Sequence, residues 1–433
     1  MLDFLFTKTP LSFFTQSLWR DEAFSYIMTK QSIANIFYLS ANDYTPPVHS
    51  LLLKFWVWIF GPGEIVLRSM SLIFYFASAY VFYLFLTNIF KIKGHWKYAY
   101  MTLFFLNPML HYFAFEARTY SLVVLLTLMS FYFLLKKNYR PYIVTAAIGL
   151  YTHYFMAFIV LTQILYVFLT EKNKKKLYKY PVYVFILFLP WILFVLNQNN
   201  IANDPFWISA ISLGGLKLIP AVLYSGYENG FYYLNEIVSN LNLTIYLYIF
   251  LGALILFKGS SKNKKWFTLL FIWGFLPTLL ALVISIYKPI FLARYLIIST
   301  PAIIMLLVLV NEHLRKPFKY LLFIILFIQT FNFAGLQAEN RQKPDYRNTI
   351  SEIKSQSDSS DLLYVSSELD YHVAQYYFDE NRVFIYGKSY DDIPNFVGKA
   401  LIPQDSIKNT IPVYPSKAFI LYPELIYDVK SSF

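Results

Sequence analysis

The chain has 433 residues, 57% of them hydrophobic and only 14% charged, with a mean hydropathy of +0.46. Soluble domains carry about 25% charged residues, so this composition excludes an ordinary globular protein and describes one that crosses a membrane many times. With no cysteine in the chain, disulfides, a thiol nucleophile and thiolate metal sites are excluded too.

A formal net charge of +12 would suit a nucleic-acid partner, but its distribution excludes one. The first 336 positions hold 27 Lys or Arg against 11 acids, whereas the residues from Gln337 onward hold 10 against 14. The basic surplus lies in short clusters between apolar runs, the pattern of cytoplasmic loops under the positive-inside rule rather than of a nucleic-acid groove.

From the N-terminus, Met1–Leu18 is apolar but interrupted by Lys8 and Pro10, and is barely long enough to cross. It reads as a short or interfacial helix, or as a first span that has lost its beginning; the n-region and cleavage site of a signal peptide are missing. Asp21-Glu22 follows, within Leu18-Trp19-Arg20-Asp21-Glu22-Ala23. Adjacent residues on a helix point about 100° apart, so one acid can face a cavity while the other binds a neighbour. Arg20 could pair with either. A carboxylate near hydrocarbon, beside a like charge, is a candidate general base. The plainer reading is an acid pair that keeps this segment outside the bilayer.

Asp43-Tyr44-Thr45-Pro46-Pro47-Val48-His49 comes next. Its prolines force Thr45 into an extended form and give a rigid entry to the apolar helix Leu51–Phe60, which Thr45 could cap. That accounts for the prolines but leaves Asp43 and His49 unexplained.

Apolar runs of spanning length then recur near 64–90, 98–114, 118–135, 141–154, 155–170, 181–197, 241–257, 266–287, 295–310 and 320–336. Every second connection is basic: Lys91–Lys97, Lys136–Arg140, Lys172–Lys179, Lys258–Lys265 and Arg315–Lys319. The rule places these five in the cytoplasm. Residues 19–63, the Glu116–Arg118 turn, the His153 turn, the 198–240 loop, the Lys288–Arg294 turn and the C-terminus are then extracytoplasmic. The 141–154 and 155–170 pair is short for two spans and reads as a tight, partly buried helical hairpin.

On the outward turns, Glu116-Ala117-Arg118-Thr119-Tyr120 either fastens its hairpin through a Glu–Arg pair or offers Arg118, whose planar fork suits phosphate. His153, in Tyr151-Thr152-His153-Tyr154, is a lone histidine among aromatics, more often structural than a ligand. Arg294, in Phe291-Leu292-Ala293-Arg294-Tyr295, has a bland reading as a snorkelling anchor. His49, His111 and His153 lack spacing such as H-E-x-x-H, so no metal site is read here and nothing requires a divalent cation.

After Phe333 the chain changes character. Asp345–Ser357 has a helical pattern with Tyr346, Ile350 and Ile353 on one face. Leu362–Val365, Arg382–Tyr386 and Ala418–Tyr422 read as strands, with a helix over Glu368–Phe378. The expected division is a membrane domain over 1–336, with interfacial helices in its first outward loop (19–63), and a small extracytoplasmic α/β domain over 337–433.

Taken in order and on one side of the membrane, several segments resemble the GT-C glycosyltransferases, in the bacterial branch related to protein O-mannosyltransferases and lipid A aminoarabinose transferases (glycosyltransferase family 39-related). They are W-R-D-E-A-F-S (19–25), D-Y-T-P-P (43–47) leading to F-G-P-G-E-I-V-L-R-S-M-S (60–71), and N-P (107–108) with F-E-A-R-T-Y-S-L (115–122). Y-T-H-Y-F (151–155), A-R-Y-L (293–296), K-P-D-Y-R (343–347) and D-L-L-Y-V (361–365) complete the set, which covers nearly the whole chain.

The resemblance implies an α-helical polytopic membrane protein of GT-C type with about ten or eleven transmembrane helices. It implies a polyprenyl-phosphate sugar as donor and a protein, lipid or glycan acceptor outside the cytoplasm; it firmly implies no cofactor and leaves a divalent metal open. On this resemblance Asp21 is the catalytic base, Glu22 supports it, and Asp43 is a second candidate near the acceptor. Arg118, Arg294 and Tyr295 would hold the donor phosphate, while His153, Tyr120, His49 and Glu116 line the cavity. Two departures stand out: the first span is truncated, and Thr45 occupies the place before the prolines where many relatives have His or Lys. A flippase of lipid-linked saccharides and an inactive membrane scaffold are the competing readings. Ionisable residues gathered at one face, rather than at the mid-membrane sites of transporters, favour the enzyme.

Overall fold

The computed structural model describes residues 9–171, 177–198, 207–228, 235–259 and 261–433. Of the expected N-terminal element, residues 1–8 lie outside this set. Its remainder forms a single helical turn, Ser12–Thr15, and then runs on to the helix Arg20–Lys30.

Among the described residues six helices are long and apolar enough to cross a membrane: Glu64–Ile89, Lys179–Leu196, Glu236–Lys258, Asn263–Ser285, Ala293–His313 and Lys316–Asn340. The other expected spans are shorter. Tyr120–Leu135, Tyr139–Leu150 and Met156–Thr170 have 16, 12 and 15 residues, so they rise only about 24, 18 and 22 Å. The expected span 98–114 is two helices, Trp96–Phe105 and Pro108–Ala114. Asn-Pro is the reason. Proline disfavours helical geometry at the residue before it, and Asn107 instead caps the second helix by accepting from the Leu110 amide at 3.0 Å. Its side chain also donates to the Tyr224 carbonyl at 2.7 Å, tying the break to a distant segment.

These helices share one apolar core, in which Phe131 stacks on Trp273 with ring centroids 3.9 Å apart. Ala293–His313 runs through its middle, nearly all of it buried. At one end of the bundle the basic connections meet: Glu171 lies between Lys137 at 3.7 Å and Lys265 at 2.9 Å, and Glu312 pairs with Lys319. At the other end, the Val48 amide donates to the Tyr151 carbonyl and Thr119 to the Thr152 carbonyl, each at 3.0 Å. The alternation of loops read from charge is therefore an alternation between the two ends. Near this second end the helix Val48–Phe60 leaves Phe55, Trp58, Ile59 and Phe60 exposed, a face suited to the lipid interface.

Beyond Asn340 a helix, Tyr346–Gln356, packs on a four-stranded sheet of order β2-β1-β3-β4. The strands are β1 (Leu362–Val365), β2 (Val383–Ile385), β3 (Ala418–Leu421) and β4 (Tyr427–Lys430). The first three are parallel and β4 is antiparallel to β3. The sequence reading missed β4, an exposed edge strand whose Asp428 and Lys430 disguise it. The last membrane helix also runs past the expected division at 336.

This C-terminal unit has its own core, built on Tyr346, Ile350, Leu363, Val365 and Phe419, and that core includes Ala23 of the helix Arg20–Lys30. The same helix holds the unit through Arg20–Asp370 and Lys30–Glu380, both at 2.6 Å. Glu64 adds Arg347 and Tyr377. Gly398, at φ +80°, lies flat on Phe24, where a Cβ would come within 2.6 Å of the ring.

Candidate functional site

The helix Arg20–Lys30 starts where Glu22 turns back to accept from the Trp19 amide at 2.9 Å. Asp21 and Glu22 both sit in its first turn, where the N-terminal dipole favours acids. They point apart. Glu22 is fully buried and accepts Nε and Nη2 of Arg68, each at 2.8 Å. It also takes Lys343 Nζ at 2.8 Å and the Ala117 amide at 3.0 Å. Although burial pushes its carboxyl up, Arg68 and Lys343 hold it well below the usual carboxylate range. Arg68, equally buried, also donates to the carbonyls of Phe14, Gln16 and Ser17. This fixes the segment leading into the helix. Arg20 does not pair with either acid, as the sequence allowed; it reaches Asp370 and the Tyr346 hydroxyl instead.

Asp21 faces the other way, with 45% of its side chain exposed. It lines a cavity of about 220 Å³ with two further acids, Glu116 and Glu228, and three cations, Arg294, Arg341 and Lys343. The aromatic wall is Trp19, Tyr112, Phe113 and Tyr120. Arg294 is more than an anchor: its guanidinium meets Glu228 at 3.3 Å and lies 5.2 Å from the Trp207 ring centroid. Burial raises the Glu116 carboxyl, with Lys343 and Arg341 opposing and Glu22 adding to the shift.

Arg118 does not pair with Glu116 either. It donates to the Asp21 carbonyl at 3.3 Å and stands 3.7 Å from the Asp21 carboxylate. Its Nε, like Nε2 of buried His49, has no hydrogen-bond partner among the described residues. Arg118 thus links Asp21 to a second group comprising Asp43, His49 and His153, on all of which its charge acts. His153 accepts from the Phe155 amide through Nδ1 at 3.1 Å, which leaves the proton of its neutral ring on Nε2. Burial, aided by Arg118, lowers it to about 4. Tyr295 packs edge-on against His153 at 5.3 Å and is not among the cavity-lining residues. Thr45 does not cap the following helix, which begins at Val48; its hydroxyl donates to Asp43 at 3.3 Å.

Loss of water pushes the half-buried Asp43 up to about 7, against the pull of Arg118. A folded value above the ordinary one, near 4, costs stability as pH rises. The wild type should therefore lose stability relative to Asp43→Asn between about pH 4 and pH 7, with the gap complete above that. Melting temperatures of the two proteins across this range check it; a constant difference would rule Asp43 out as the titrating group.

Among the described residues no group of three or more His, Asp or Glu is placed to hold a metal ion. The sequence reading missed Arg341, Lys343, Glu228 and the aromatic residues Trp19, Tyr112 and Phe113. Lys343 stood inside a quoted segment, and two cations directly after the last apolar run were the available signal. Glu228 carried none, lying in a long loop with no motif around it.

These features define a polytopic helical membrane protein with a small C-terminal α/β unit, whose root lines a polar cavity. No protein-family model and no curated protein sequence matches the chain, but solved structures share its fold. The crystal structure of ArnT from Cupriavidus metallidurans in the apo state aligns with a TM-score of 0.63 at 10% identity, over 94% of this chain and 89% of that one. The same protein bound to undecaprenyl phosphate gives 0.61 at 12% identity, over 95% and 91%.

Proposed function

We propose that the chain is a membrane glycosyltransferase that moves a sugar from a polyprenyl-phosphate donor to a protein, lipid or glycan acceptor. The observation that carries this reading is a half-exposed carboxylate, Asp21, in one aromatic-walled cavity with Arg294. Its support is the fold shared with ArnT, a protein crystallised with undecaprenyl phosphate. In this reading the protein sits in the cell membrane with the cavity and the C-terminal unit outside the cytoplasm, an orientation that the alternation of basic loops supports.

In this reading Asp21 takes the proton from the acceptor's nucleophilic group, which attacks the anomeric carbon as the bond to the phosphate oxygen breaks. The bonding electrons pass to the phosphate, and Arg294, with Arg118 behind Asp21, steadies the charge that develops there. Tyr120 and its aromatic neighbours offer flat faces to the sugar. Glu22 supports the base by fixing the start of its helix, while His49, His153 and Tyr295 pack around Arg118.

The test is transfer of radiolabelled sugar from a panel of polyprenyl-phosphate sugars by the purified protein in liposomes supplied with cell-envelope acceptors. Transfer from at least one donor is expected. No transfer, with movement of a lipid-linked saccharide across the bilayer, would replace the enzyme by a flippase. Neither activity would leave a scaffold.

A further inference from the structure

The helix Lys316–Asn340 passes directly into Arg341-Gln342-Lys343, and Asp345 then caps the helix of the C-terminal unit by accepting from the Asn348 amide at 3.3 Å. This short link is fastened on both sides. The Gln16 side chain donates to the Gln342 side-chain oxygen at 2.7 Å and accepts from the Lys343 amide at 3.1 Å. Gln342 also donates to the Ala338 carbonyl at 2.8 Å. The Arg341 guanidinium lies 3.5 Å from the Tyr112 ring centroid, while Lys343, 5% exposed, reaches Glu22. Arg341, Gln342 and Lys343 all line the cavity that holds Asp21 and Arg294.

Charge decides what this wall is for. Arg294 is already matched by Glu228 and Arg118 by Asp21. Glu22, Arg68 and Lys343 form a buried group with one positive charge in excess. Glu22 is satisfied by Arg68 and two backbone amides, so Lys343 is not needed to solvate it. An ammonium has three donors, and that of Lys343 makes one hydrogen bond among the described residues. A phosphodiester donor carries one negative charge, and a second develops on its phosphate as the sugar leaves. Counted whole, the lining sets three acids, Asp21, Glu116 and Glu228, against three cations, Arg294, Arg341 and Lys343; burial favours the neutral form of Glu116, which leaves the Arg341 and Lys343 side facing that need.

Resting on the glycosyltransferase reading, we propose that Arg341 and Lys343 form the phosphate-gripping wall of the cavity, so that the donor site is complete only when the C-terminal unit is docked. Arg341, held flat on Tyr112, presents a planar fork to two phosphate oxygens, and Lys343 adds a point charge. The C-terminal unit is then part of the site through its root, whatever its sheet does.

The full-length protein in nanodiscs tests this with three probes: polyprenyl phosphate, the corresponding polyprenol, and inorganic phosphate. Arg341→Gln and Lys343→Gln are each expected to weaken polyprenyl phosphate about tenfold to a hundredfold, the scale of a lost charge-assisted hydrogen bond, with polyprenol binding unchanged. Equal loss with both lipids would mark a structural role and overturn the proposal. Weakening by Arg294→Gln but by neither link variant would overturn it while sparing the glycosyltransferase reading. A wild type that does not prefer the phosphate over the alcohol would end both. Inorganic phosphate bound as tightly as the lipid would assign a free-phosphate site instead. Lys343 is buried, so thermal unfolding is followed for every variant, and Arg341→Gln alone carries the test if Lys343→Gln does not fold.

Discussion

Asp21→Asn is expected to cut sugar transfer ~10²–10⁴-fold, the scale of a lost general base, while the protein unfolds at its usual temperature. The asymmetry follows from its surroundings. The Asp21 side chain is 45% exposed, and its ion pair with Arg118 spans 3.7 Å, a geometry worth little to stability. An amide has the same size and keeps an acceptor oxygen, so the cavity wall survives and only proton uptake is lost. Initial rates with the best donor, together with a melting curve, separate the two effects. Undiminished transfer by the variant would remove Asp21 as base and move the assignment to Asp43, whose carboxyl is already raised towards neutrality.

The opposite result is expected one residue along. Arg68→Met should destabilise the protein by about 3–5 kcal/mol, because Glu22 would keep its buried charge while losing its two-point partner. The segment Phe14–Ser17 would also lose the donors that order its carbonyls. Since the Glu22 carboxyl lies below its ordinary value, its contribution is full above about pH 4.3 and fades only as the solution becomes more acid than that. The measurement is the midpoint of thermal unfolding in detergent at pH 7 and again at low pH. A midpoint within about a degree of wild type at pH 7 would show that the buried pair is not what holds the helix Arg20–Lys30.

Adjacent acids with opposite fates show how far the sequence could be read. A 100° step along a helix is local geometry, so the divergence of Asp21 and Glu22 was legible. The partners were not, because Arg68, Ala117 and Lys343 come from three distant segments. Arg20 could have paired with either neighbour and goes instead to Asp370, which no local pattern could reveal. Charge alternation located the loops well, since it reflects a rule acting on each loop separately. Hydropathy merged 98–114 into one span because Asn107-Pro108 barely lowers the average, although its backbone chemistry ends one helix and begins another. Strands β1 to β3 were visible as short apolar runs, and the exposed edge β4 was not.

The brevity of Tyr139–Leu150 bears on how the chain is built in the cell. At about 18 Å against a hydrocarbon core of about 30 Å, it is a poor substrate for insertion on its own hydrophobicity. Its depth is given instead by Tyr120–Leu135 and Lys179–Leu196, the helices it packs against. Residues 139–150 therefore leave the ribosome before one of the surfaces that positions them exists, and biogenesis of this segment has to wait for chain made later.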